Sequence, residues 1–439
     1  MEASILTSNT ILIEKCKWIV TQNRDRKILR NKSIYIEDGR IVEISDKIPV
    51  EAEYILNGEG KICMPGLINA HTHTPMSLLR GYADDMALKE WLEKKIWPVE
   101  RKLKPYHCYI GSLLSCMEMV RTGTTTFMDM YWNPEMIAKA ASKIGMRGVI
   151  AIGLLDFEDP SLREKMLSEA EKYLVEVKSL SSKIRGALGP HSPYTCSEEL
   201  LYKCREIAER EKTPLTMHLA ETMEEQVEFK EKHGVREVEY LDKIELLTGN
   251  LVAVHCVWLT KNEINLMADR KVKVVHCPTS NLKLAVGGVF PLPEFLERNV
   301  TIGLGTDGPA SNNSLSMFET MKICALIHKH HRWDPSIAPA PLILDLATLG
   351  GAAVLNLKIG CIVPGWEADI ILLDEKKPNL IPICSKSTLI SNLVYSTSGF
   401  NVTDVIIGGE MILHEGRFLK VDEEKVYGEV LKTACELLK

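Results

Sequence analysis

Short apolar runs alternate with segments of helical periodicity along the middle of the chain. The eight runs are Ile62–Ala70, Thr124–Met130, Met146–Leu155, Ile184–Gly189, Pro214–Leu219, Leu251–Val257, Val272–Val275 and Thr301–Gly305. The helical periodicity is clearest over Ser161–Ser179, Ser197–Glu211, Glu221–Lys232 and Lys261–Asp269. Strands that alternate with helices form parallel βα units, and eight units over about 250 residues are typical of a (β/α)8 barrel. The pattern therefore predicts an α/β fold with a (β/α)8 TIM barrel over residues 62–364.

The two ends of the chain have a different pattern, made of short strand-like pieces. The pieces are Thr10–Glu14, Trp18–Thr21, Ser33–Glu37, Arg40–Ile44, Asp369–Asp374 and Val405–Ile407. The pairs Asp38-Gly39 and Gly408-Gly409 are turn signals. We expect residues 1–61 and 365–439 to form one small composite β-sandwich domain, with a final helix over Glu423–Leu438.

Composition and charge narrow the class of protein. The 439 residues are 45% hydrophobic and 26% charged, with a net charge of −6, which argues against nucleic-acid partners and anionic membrane surfaces, because both call for basic patches. No apolar run reaches the ~18–20 residues that span a bilayer, and Met1–Ser4 lacks the basic start of a secretory signal. The 12 cysteines contain no CxxC pair, which favours reduced thiols and a cytoplasmic protein.

Histidines and acids collect at the carboxyl ends of the predicted strands, where such barrels place their active sites. On a strand, residues i and i+2 point to the same side, so His71 and His73 can converge on one ion. Further along the chain, His218 and Asp307 stand at the ends of the fifth and eighth runs. Three imidazoles and one carboxylate suit zinc or another divalent metal. The sequence therefore predicts one metal site; no lysine ends the fourth run to bridge a second ion.

Other residues at these ends have positions suited to substrate or water. Glu221 lies beyond the strand end and is expected to reach substrate, whereas His255 is expected to orient the attacking water. His191, in Gly189–Tyr194, fits a substrate contact. For His276, which precedes Cys277, a structural role and a site role both remain open.

Several motifs match a known family. Pro65–His73 (PGLINAHTH) resembles the opening signature of the amidohydrolase superfamily, and His218, His255 and Gly305–Asp307 complete its mononuclear pattern. More narrowly, the chain resembles the 5′-methylthioadenosine/S-adenosylhomocysteine deaminase family. The segments that carry this resemblance are Pro75–Gly81, Trp91–Glu100, Gly189–Tyr194, His218–Thr222, Ser280–Leu284, Asp307–Asn313 and Gly365–Ile370.

The resemblance implies a reaction and a set of roles. It implies hydrolytic deamination of 5′-substituted adenosines, with adenosine itself as a further candidate substrate, to the matching inosine compounds and ammonia. Glu100 would bind the ribose hydroxyls, His191 the adenine ring, Glu221 would protonate N1 and Asp307 would take the proton of the water. The cofactor would be one divalent metal per subunit, zinc first, with Fe2+, Ni2+ or Mn2+ as alternatives. The partner would be a small nucleoside, and the family precedent favours a homo-oligomer.

One departure from the family concerns the 5′ substituent. Members that bind the homocysteine carboxylate carry arginines after the third strand; here one such position is Ile152, and Arg163 is the candidate for the second. We therefore expect 5′-methylthioadenosine and 5′-deoxyadenosine to be at least as good as S-adenosylhomocysteine, and the preferred substituent stays open.

Two alternatives remain. The first is another reaction at the same metal site, such as deamination of guanine or cytosine or hydrolysis of an s-triazine; a ribose contact such as Glu100 distinguishes these substrates, because a free base has no use for it. The second is a non-catalytic assembly protein, which should have lost metal ligands that this chain keeps. Zinc deaminases of nucleic acids use His-x-Glu with Pro-Cys-x-x-Cys, a signature that is absent from this sequence.

Overall fold

The computed structural model describes residues 10–439, so the first nine residues of the predicted terminal domain lie outside the described part. The strands are β1 (Thr10–Cys16), β2 (Trp18–Val20), β3 (Ile28–Leu29), β4 (Lys32–Glu37), β5 (Arg40–Ser45), β6 (Tyr54–Asn57), β7 (Lys61–Pro65), β8 (Leu67–Thr72), β9 (Thr124–Tyr131), β10 (Arg147–Leu154), β11 (Ile184–Pro190), β12 (Leu215–Leu219), β13 (Leu251–His255), β14 (Lys273–His276), β15 (Ile302–Leu304), β16 (Ile370–Asp374), β17 (Val402–Ile407), β18 (Glu410–His414) and β19 (Arg417–Phe418). The α-helices are α1 (Leu88–Trp91), α2 (Trp97–Glu100), α3 (Pro105–Arg121), α4 (Pro134–Ile144), α5 (Pro160–Glu176), α6 (Glu198–Glu211), α7 (Met223–His233), α8 (Glu237–Lys243), α9 (Lys261–Asp269), α10 (Pro278–Lys283), α11 (Leu292–Glu297), α12 (Met317–Arg332), α13 (Ala340–Asp345), α14 (Gly351–Val354), α15 (Lys386–Tyr395) and α16 (Glu423–Leu437).

The predicted barrel is confirmed. Strands β8 to β15 form one parallel sheet in sequence order, and each is followed by helical segments. The interior is filled by aliphatic and small side chains such as Ile68, Met128, Val149 and Val254. Strands that are buried on both faces have nearly continuous apolar sequences, and this is why the eight strands could be predicted from the sequence.

The barrel closes where its last strand, β15, meets its first strand, β8, and we call this junction the seam. The side chain of Asn69 makes two of the hydrogen bonds there. Asn69 Nδ2 donates to Thr306 Oγ1 at 2.7 Å, and Asn69 Oδ1 accepts from the Thr306 N–H at 3.0 Å. One residue further on, the Asp307 N–H donates to the His71 carbonyl at 3.0 Å. These bonds place Asp307 beside the first strand of the barrel.

The first predicted strand is in fact two strands that meet at Gly66. β7 pairs antiparallel with β16 and parallel with β2, so it belongs to a terminal sheet, and only β8 enters the barrel. A Cβ at Gly66 would lie 2.1 Å from Thr125 Oγ1, which explains the need for glycine at this crossing. The prediction of one strand over Ile62–Ala70 is therefore wrong, and we propose that the domain boundary lies at Gly66 instead of between residues 61 and 62.

The termini build two further sheets that share one apolar core. One has the order β5-β4-β1-β6, and the other has the order β19-β18-β17-β16-β7-β2-β3. Isoleucines of the first sheet, such as Ile13 and Ile34, pack against Cys63, Leu372 and Ile406 of the second. Sheets from both ends of the chain are therefore present, as predicted.

The C-terminal segment also contributes helices that lie against the barrel. Helix α15 packs on α12 and α13, and the final helix, predicted over Glu423–Leu438, packs on α3. Arg147, at the amino end of β10, links the barrel to the terminal sheets. Its Nε donates to Asp369 Oδ2 at 2.8 Å, and Asp369 Oδ1 accepts from the Gly408 N–H. The terminal sheets are thus fixed to the end of the barrel opposite the histidines.

Two further features bear on the class of protein. Between residues 10 and 439, no helix combines the length and apolarity that crossing a membrane requires. All 12 cysteines lie in this part of the chain and are free, and all except Cys384 and Cys435 are buried.

Candidate active site and metal centre

The four predicted metal ligands come together at the carboxyl ends of three strands. His71 is on β8 and His73 follows it, His218 is on β12, and Asp307 follows β15. One donor atom from each lies within 4.8 Å of all the others. His71 Nε2 is 3.3 Å from His218 Nε2, and His73 Nε2 is 3.2 Å from Asp307 Oδ1. The distances fit a single ion held by all four residues.

The hydrogen bonds and pKa values of the three imidazoles bear on how they would bind a metal. His73 Nδ1 is 2.6 Å from the Met130 carbonyl; because a carbonyl only accepts, Nδ1 carries a hydrogen and Nε2 is the nitrogen that can bind a metal. Burial lowers the pKa of His71 to about 3 and holds that of His218 well below its usual value. Despite burial, the Asp307 carboxylate raises the pKa of His73 to about 9, so His73 must release a proton when a metal binds, because neutral imidazole is the form that binds metals.

Two serines orient the carboxylate of Asp307. Its Oδ2 accepts from Ser280 Oγ at 2.6 Å and from Ser311 Oγ at 2.7 Å, which leaves Oδ1 facing His71 and His73. Neither role was predicted from the sequence, although Ser280 and Ser311 both lie in motifs that carry the family resemblance, Ser280–Leu284 and Asp307–Asn313. Hydrogen bonds of this kind to a ligating carboxylate fix its direction and tune its basicity.

Glu221 and His255 form a second pair beside the metal ligands. Glu221 follows β12 and is buried, and its Oε2 lies 3.6 Å from His255 Nε2. The Asn281 amide oxygen is 2.9 Å from His255 Nδ1, so this nitrogen is the donor and Nε2 faces Glu221. Burial, with a contribution from Asp307, raises the pKa of Glu221 well above its usual value, which makes it a proton donor near neutral pH.

Strained backbone coincides with this cluster. His255 has φ 69° and Asp307 has φ 62°. Left-handed conformations of residues other than glycine cost free energy and are retained where the surroundings impose them, commonly at functional sites. Here they aim both side chains inward just beyond the strand ends.

Glu100 lies at the far wall of the same cavity, at the end of α2. Tyr131 donates its hydroxyl to Glu100 Oε1 at 2.5 Å, and burial raises the pKa of Glu100 to about 7. Tyr131 was not singled out from the sequence. A buried carboxylate with one oxygen still free suits a pair of substrate hydroxyls.

His191 also lines this cavity. Its Nδ1 lies 3.1 Å from Thr195 Oγ1, and its ring is edge-on to His218, with the centroids 4.9 Å apart. Burial lowers the pKa of His191 to about 4, so it meets a ligand as a neutral imidazole.

Arg163 is not brought to the cavity, which corrects the expectation that it contacts substrate. Its Nε donates to Asp156 Oδ2 at 3.0 Å, and its Nη1 donates to Glu199 Oε2 at 2.6 Å. Asp156 is fully buried and also accepts from the N–H and the hydroxyl of Ser197. Arg163 therefore anchors the loop after β10. The clue in the sequence was Asp156, which ends the third run seven residues earlier.

His276 lies in a separate buried group with Cys324 and His328. It is buried, its Nε2 lies 3.3 Å from His328 Nε2, and its ring stacks on Phe290 with the centroids 4.5 Å apart. It does not line the cavity formed by the other histidines.

Comparison with known proteins places the chain. A model of the amidohydrolase family matches residues 62–412. The chain belongs to the amidohydrolase family. A 5′-deoxyadenosine deaminase of Methanocaldococcus jannaschii is 46% identical over 402 residues, which cover 91% of this chain and 94% of that protein. A 5-methylthioadenosine/S-adenosylhomocysteine deaminase of Thermococcus sibiricus is 45% identical over 381 residues, 87% of this chain and 89% of that protein. Among solved structures, an adenosine deaminase of Xanthomonas campestris with bound zinc superposes with a TM-score of 0.93 at 32% identity and covers 97% of this chain and 98% of that one.

Proposed function

We propose that this amidohydrolase hydrolytically deaminates 5′-substituted adenosines to the corresponding inosine compounds and ammonia. One observation carries the proposal: a single cavity is lined by three members of the metal-ligand group (His73, His218 and Asp307), by the buried Glu221 and by the buried Glu100. The first two supply what the reaction at a ring carbon needs, and Glu100 supplies what a ribose needs. The relatives named as 5′-deoxyadenosine and 5-methylthioadenosine/S-adenosylhomocysteine deaminases support the same substrate class.

The residues divide the chemistry between them. A divalent metal held by His71, His73, His218 and Asp307 would lower the pKa of a water from about 15.7 to about 7. Glu221 donates its carboxyl proton to N1 of the adenine ring as water adds to C6. His255 holds the attacking water in line, and the Asp307 carboxylate accepts the proton that the water loses. That proton then passes to the C6 amino group, and the C6 hydroxyl returns a proton to the Glu221 carboxylate as the C6–N bond breaks and ammonia leaves.

Binding of the nucleoside falls to two further residues. Glu100 accepts hydrogen bonds from the ribose hydroxyls, supported by Tyr131. His191, neutral and half-buried, contacts the adenine ring. The metal that we propose is zinc, because three imidazoles and a carboxylate with an open position are typical of catalytic zinc, and the Xanthomonas campestris structure carries zinc; Fe2+, Ni2+ and Mn2+ are the alternatives.

The test is a substrate panel on protein of known metal content. The ultraviolet change from adenine to hypoxanthine would be followed for 5′-deoxyadenosine, 5′-methylthioadenosine, S-adenosylhomocysteine and adenosine, with guanine as the control. We expect turnover of the 5′-substituted adenosines and none of guanine. No turnover of any adenosine by protein with metal bound would reject the proposal and favour guanine, cytosine or triazine substrates.

Two further properties are proposed for this protein. It is expected to form a homo-oligomer, which light scattering would check, and to be located in the cytoplasm, which cell fractionation would check.

A further inference from the structure

A second cavity of about 520 Å³ adjoins the one that holds the metal ligands. The two share five lining residues, namely Leu88, Leu92, Trp97, Tyr194 and Leu284. We call this second cavity the outer chamber. Because it opens directly off the site, a group attached to a nucleoside bound in the inner cavity can extend into it.

The wall of the outer chamber is largely apolar, and part of it is exposed. Phe157 and Met223 are 56% and 45% exposed, and Phe157 meets Trp97 edge-on with the ring centroids 6.3 Å apart. Apolar side chains left in contact with water beside an active site mark a surface that a ligand covers. The loop that presents Phe157 is the one that Arg163 and Asp156 anchor.

The charges around the chamber are mainly negative. Four glutamates line it, together with two lysines; the glutamates are Glu93, Glu224, Glu225 and Glu228. Burial raises the pKa of Glu225, so the three exposed glutamates supply most of the negative charge. Within the described lining, neither lysine is free. Lys89 Nζ lies 2.6 Å from Glu228 Oε1 and 3.7 Å from Glu224 Oε1, and Lys232 Nζ lies 2.6 Å from Glu158 Oε1.

The remaining cations do not change this balance. His233 also lines the chamber, but burial and the neighbouring Lys232 lower its pKa, so it adds little positive charge at neutral pH. Arg163 has its guanidinium against Asp156 and Glu199. A carboxylate that entered the chamber would thus lose water, meet like charges and find no cation to pair with, which is unfavourable.

We propose that the outer chamber binds the 5′ substituent of the nucleoside and selects an apolar chain, or one ending in an ammonium, over one ending in a carboxylate. This inference rests on the proposed deaminase function and adds its substrate preference. The apolar wall of the chamber contacts the 5′ substituent, and the glutamates discriminate by the charge at the end of that substituent.

The test uses 5′-deoxy-5′-thioadenosines of similar length that carry an n-butyl, a 3-aminopropyl or a 2-carboxyethyl group on sulfur, with 5′-deoxyadenosine as the internal reference. We expect kcat/KM for the carboxyethyl compound to be at least about tenfold below that of the butyl compound. The aminopropyl compound should be close to the butyl compound, and its advantage over carboxyethyl should shrink in high salt, because the glutamates at the rim are screened.

Two results would overturn the inference in distinguishable ways. If 5′-deoxyadenosine is turned over but the carboxyethyl compound equals or exceeds the butyl compound, the chamber does not select as proposed and the deaminase function stands. If metal-loaded protein leaves 5′-deoxyadenosine unchanged, the deaminase function fails and takes this inference with it.

A charge reversal sharpens the test. Glu224 is on α7, its side chain is 62% exposed, and it takes no part in the proposed chemistry. Glu224→Lys should raise the ratio of carboxyethyl to butyl kcat/KM about 3- to 10-fold, as befits an exposed charge, and leave 5′-deoxyadenosine unchanged. Glu231→Lys makes the same charge change on an exposed part of the same helix away from the chamber and should leave the ratio unaltered. Equal ratios in the two variants would reject the role of the chamber glutamates.

Discussion

The inner cavity and the outer chamber are neighbours built in opposite ways. In the inner cavity the reacting groups stand at strand ends, and their orientations are fixed by partners such as Met130 for His73, Asn281 for His255 and Ser280 for Asp307. In the outer chamber the side chains come from α1, α2, α7 and connecting segments, and charged members such as Glu224 and Glu228 are more than half exposed.

This difference in construction indicates different roles: the inner cavity carries out the reaction, and the outer chamber determines substrate selectivity. Groups held on rigid elements keep the sub-ångström geometry that a reaction needs, whereas exposed loop and helix side chains change at little cost to stability. Substitutions in the inner cavity should therefore abolish turnover of every substrate, and those in the outer chamber should only re-rank substrates.

The largest effect is expected at Glu221. Glu221→Gln removes the proton for N1 and should lower kcat on 5′-deoxyadenosine by about 10²- to 10⁴-fold, while metal content stays at the wild-type level. Steady-state kinetics and metal analysis check both. Glu228→Gln makes the same change in the outer chamber and should leave this substrate unaffected. Normal turnover by Glu221→Gln would remove this residue from the mechanism.

A smaller effect is expected from the support of the metal ligands. Ser280→Ala removes one of the two hydroxyls on Asp307 Oδ2 and should weaken metal binding by about 10- to 100-fold, measured by competition with a chromogenic chelator. Ser142→Ala is the control, because the Ser142 hydroxyl is buried without a hydrogen-bond partner and lies on α4. Unchanged metal affinity in Ser280→Ala would show that Ser311 suffices.

Arg163 should affect stability without affecting substrate choice. Arg163→Ala leaves the buried Asp156 without its cation, although the hydrogen bonds from Ser197 and from the Glu158 N–H remain, and should lower the free energy of unfolding by about 1–3 kcal/mol, as read from urea denaturation. The ratio of S-adenosylhomocysteine to 5′-deoxyadenosine turnover should stay constant. Arg210→Ala, which breaks an ion pair with Glu171 that is more than half exposed on both sides, should cost far less. A selective loss of S-adenosylhomocysteine turnover in Arg163→Ala would restore the arginine as a substrate contact.

The smallest effect is a shift in pH dependence. Ionised Glu100 accepts from the ribose hydroxyls better than the neutral acid, so KM should fall as pH rises through the Glu100 pKa of about 7. The hydrogen bond from Tyr131 lowers that pKa, so Tyr131→Phe should raise it and move the fall in KM to higher pH. The control substrate is 2′,3′-dideoxyadenosine, which lacks both hydroxyls and should show neither effect. The same profile for both substrates would separate Glu100 from ribose binding.

The sequence predicted the barrel and the position of its histidines because strands buried on both faces are apolar throughout and end abruptly in polar residues. The same property hid the break at Gly66, since β7 and β8 are both buried and no polar residue marks the passage between sheets. Arg163 was predicted to contact the substrate because nothing in the sequence shows that Asp156 and Glu199 bind its guanidinium group. Those two ion pairs depend on how the loop after β10 folds.

Other features depend on contacts between loops that are distant in sequence. Ser280 and Ser311 reach the same carboxylate oxygen from different loops, and Tyr131 reaches Glu100 from 31 residues away. Hydroxyl groups carry no periodicity that would reveal such partners. The outer chamber is likewise assembled from α1, α2, α7 and the segments that connect distant elements, so its charge balance is visible only in three dimensions.

The hydrogen bonds of Asn69 between β8 and β15 couple the stability of the barrel to metal binding. Asn69 and Thr306 are separated by 237 positions, and the ligands His71 and Asp307 sit just beyond them on the two sides of the seam. Fraying between the first and last barrel strands must therefore pull the ligand set apart, so a bound ion opposes it. At an ion concentration 1,000 times the dissociation constant this linkage is worth about 4 kcal/mol. Hydrogen exchange of the amides in β8 and β15 should slow on metal loading more than that of amides in the terminal sheets, so that the durability of the barrel in a cell follows its metal supply.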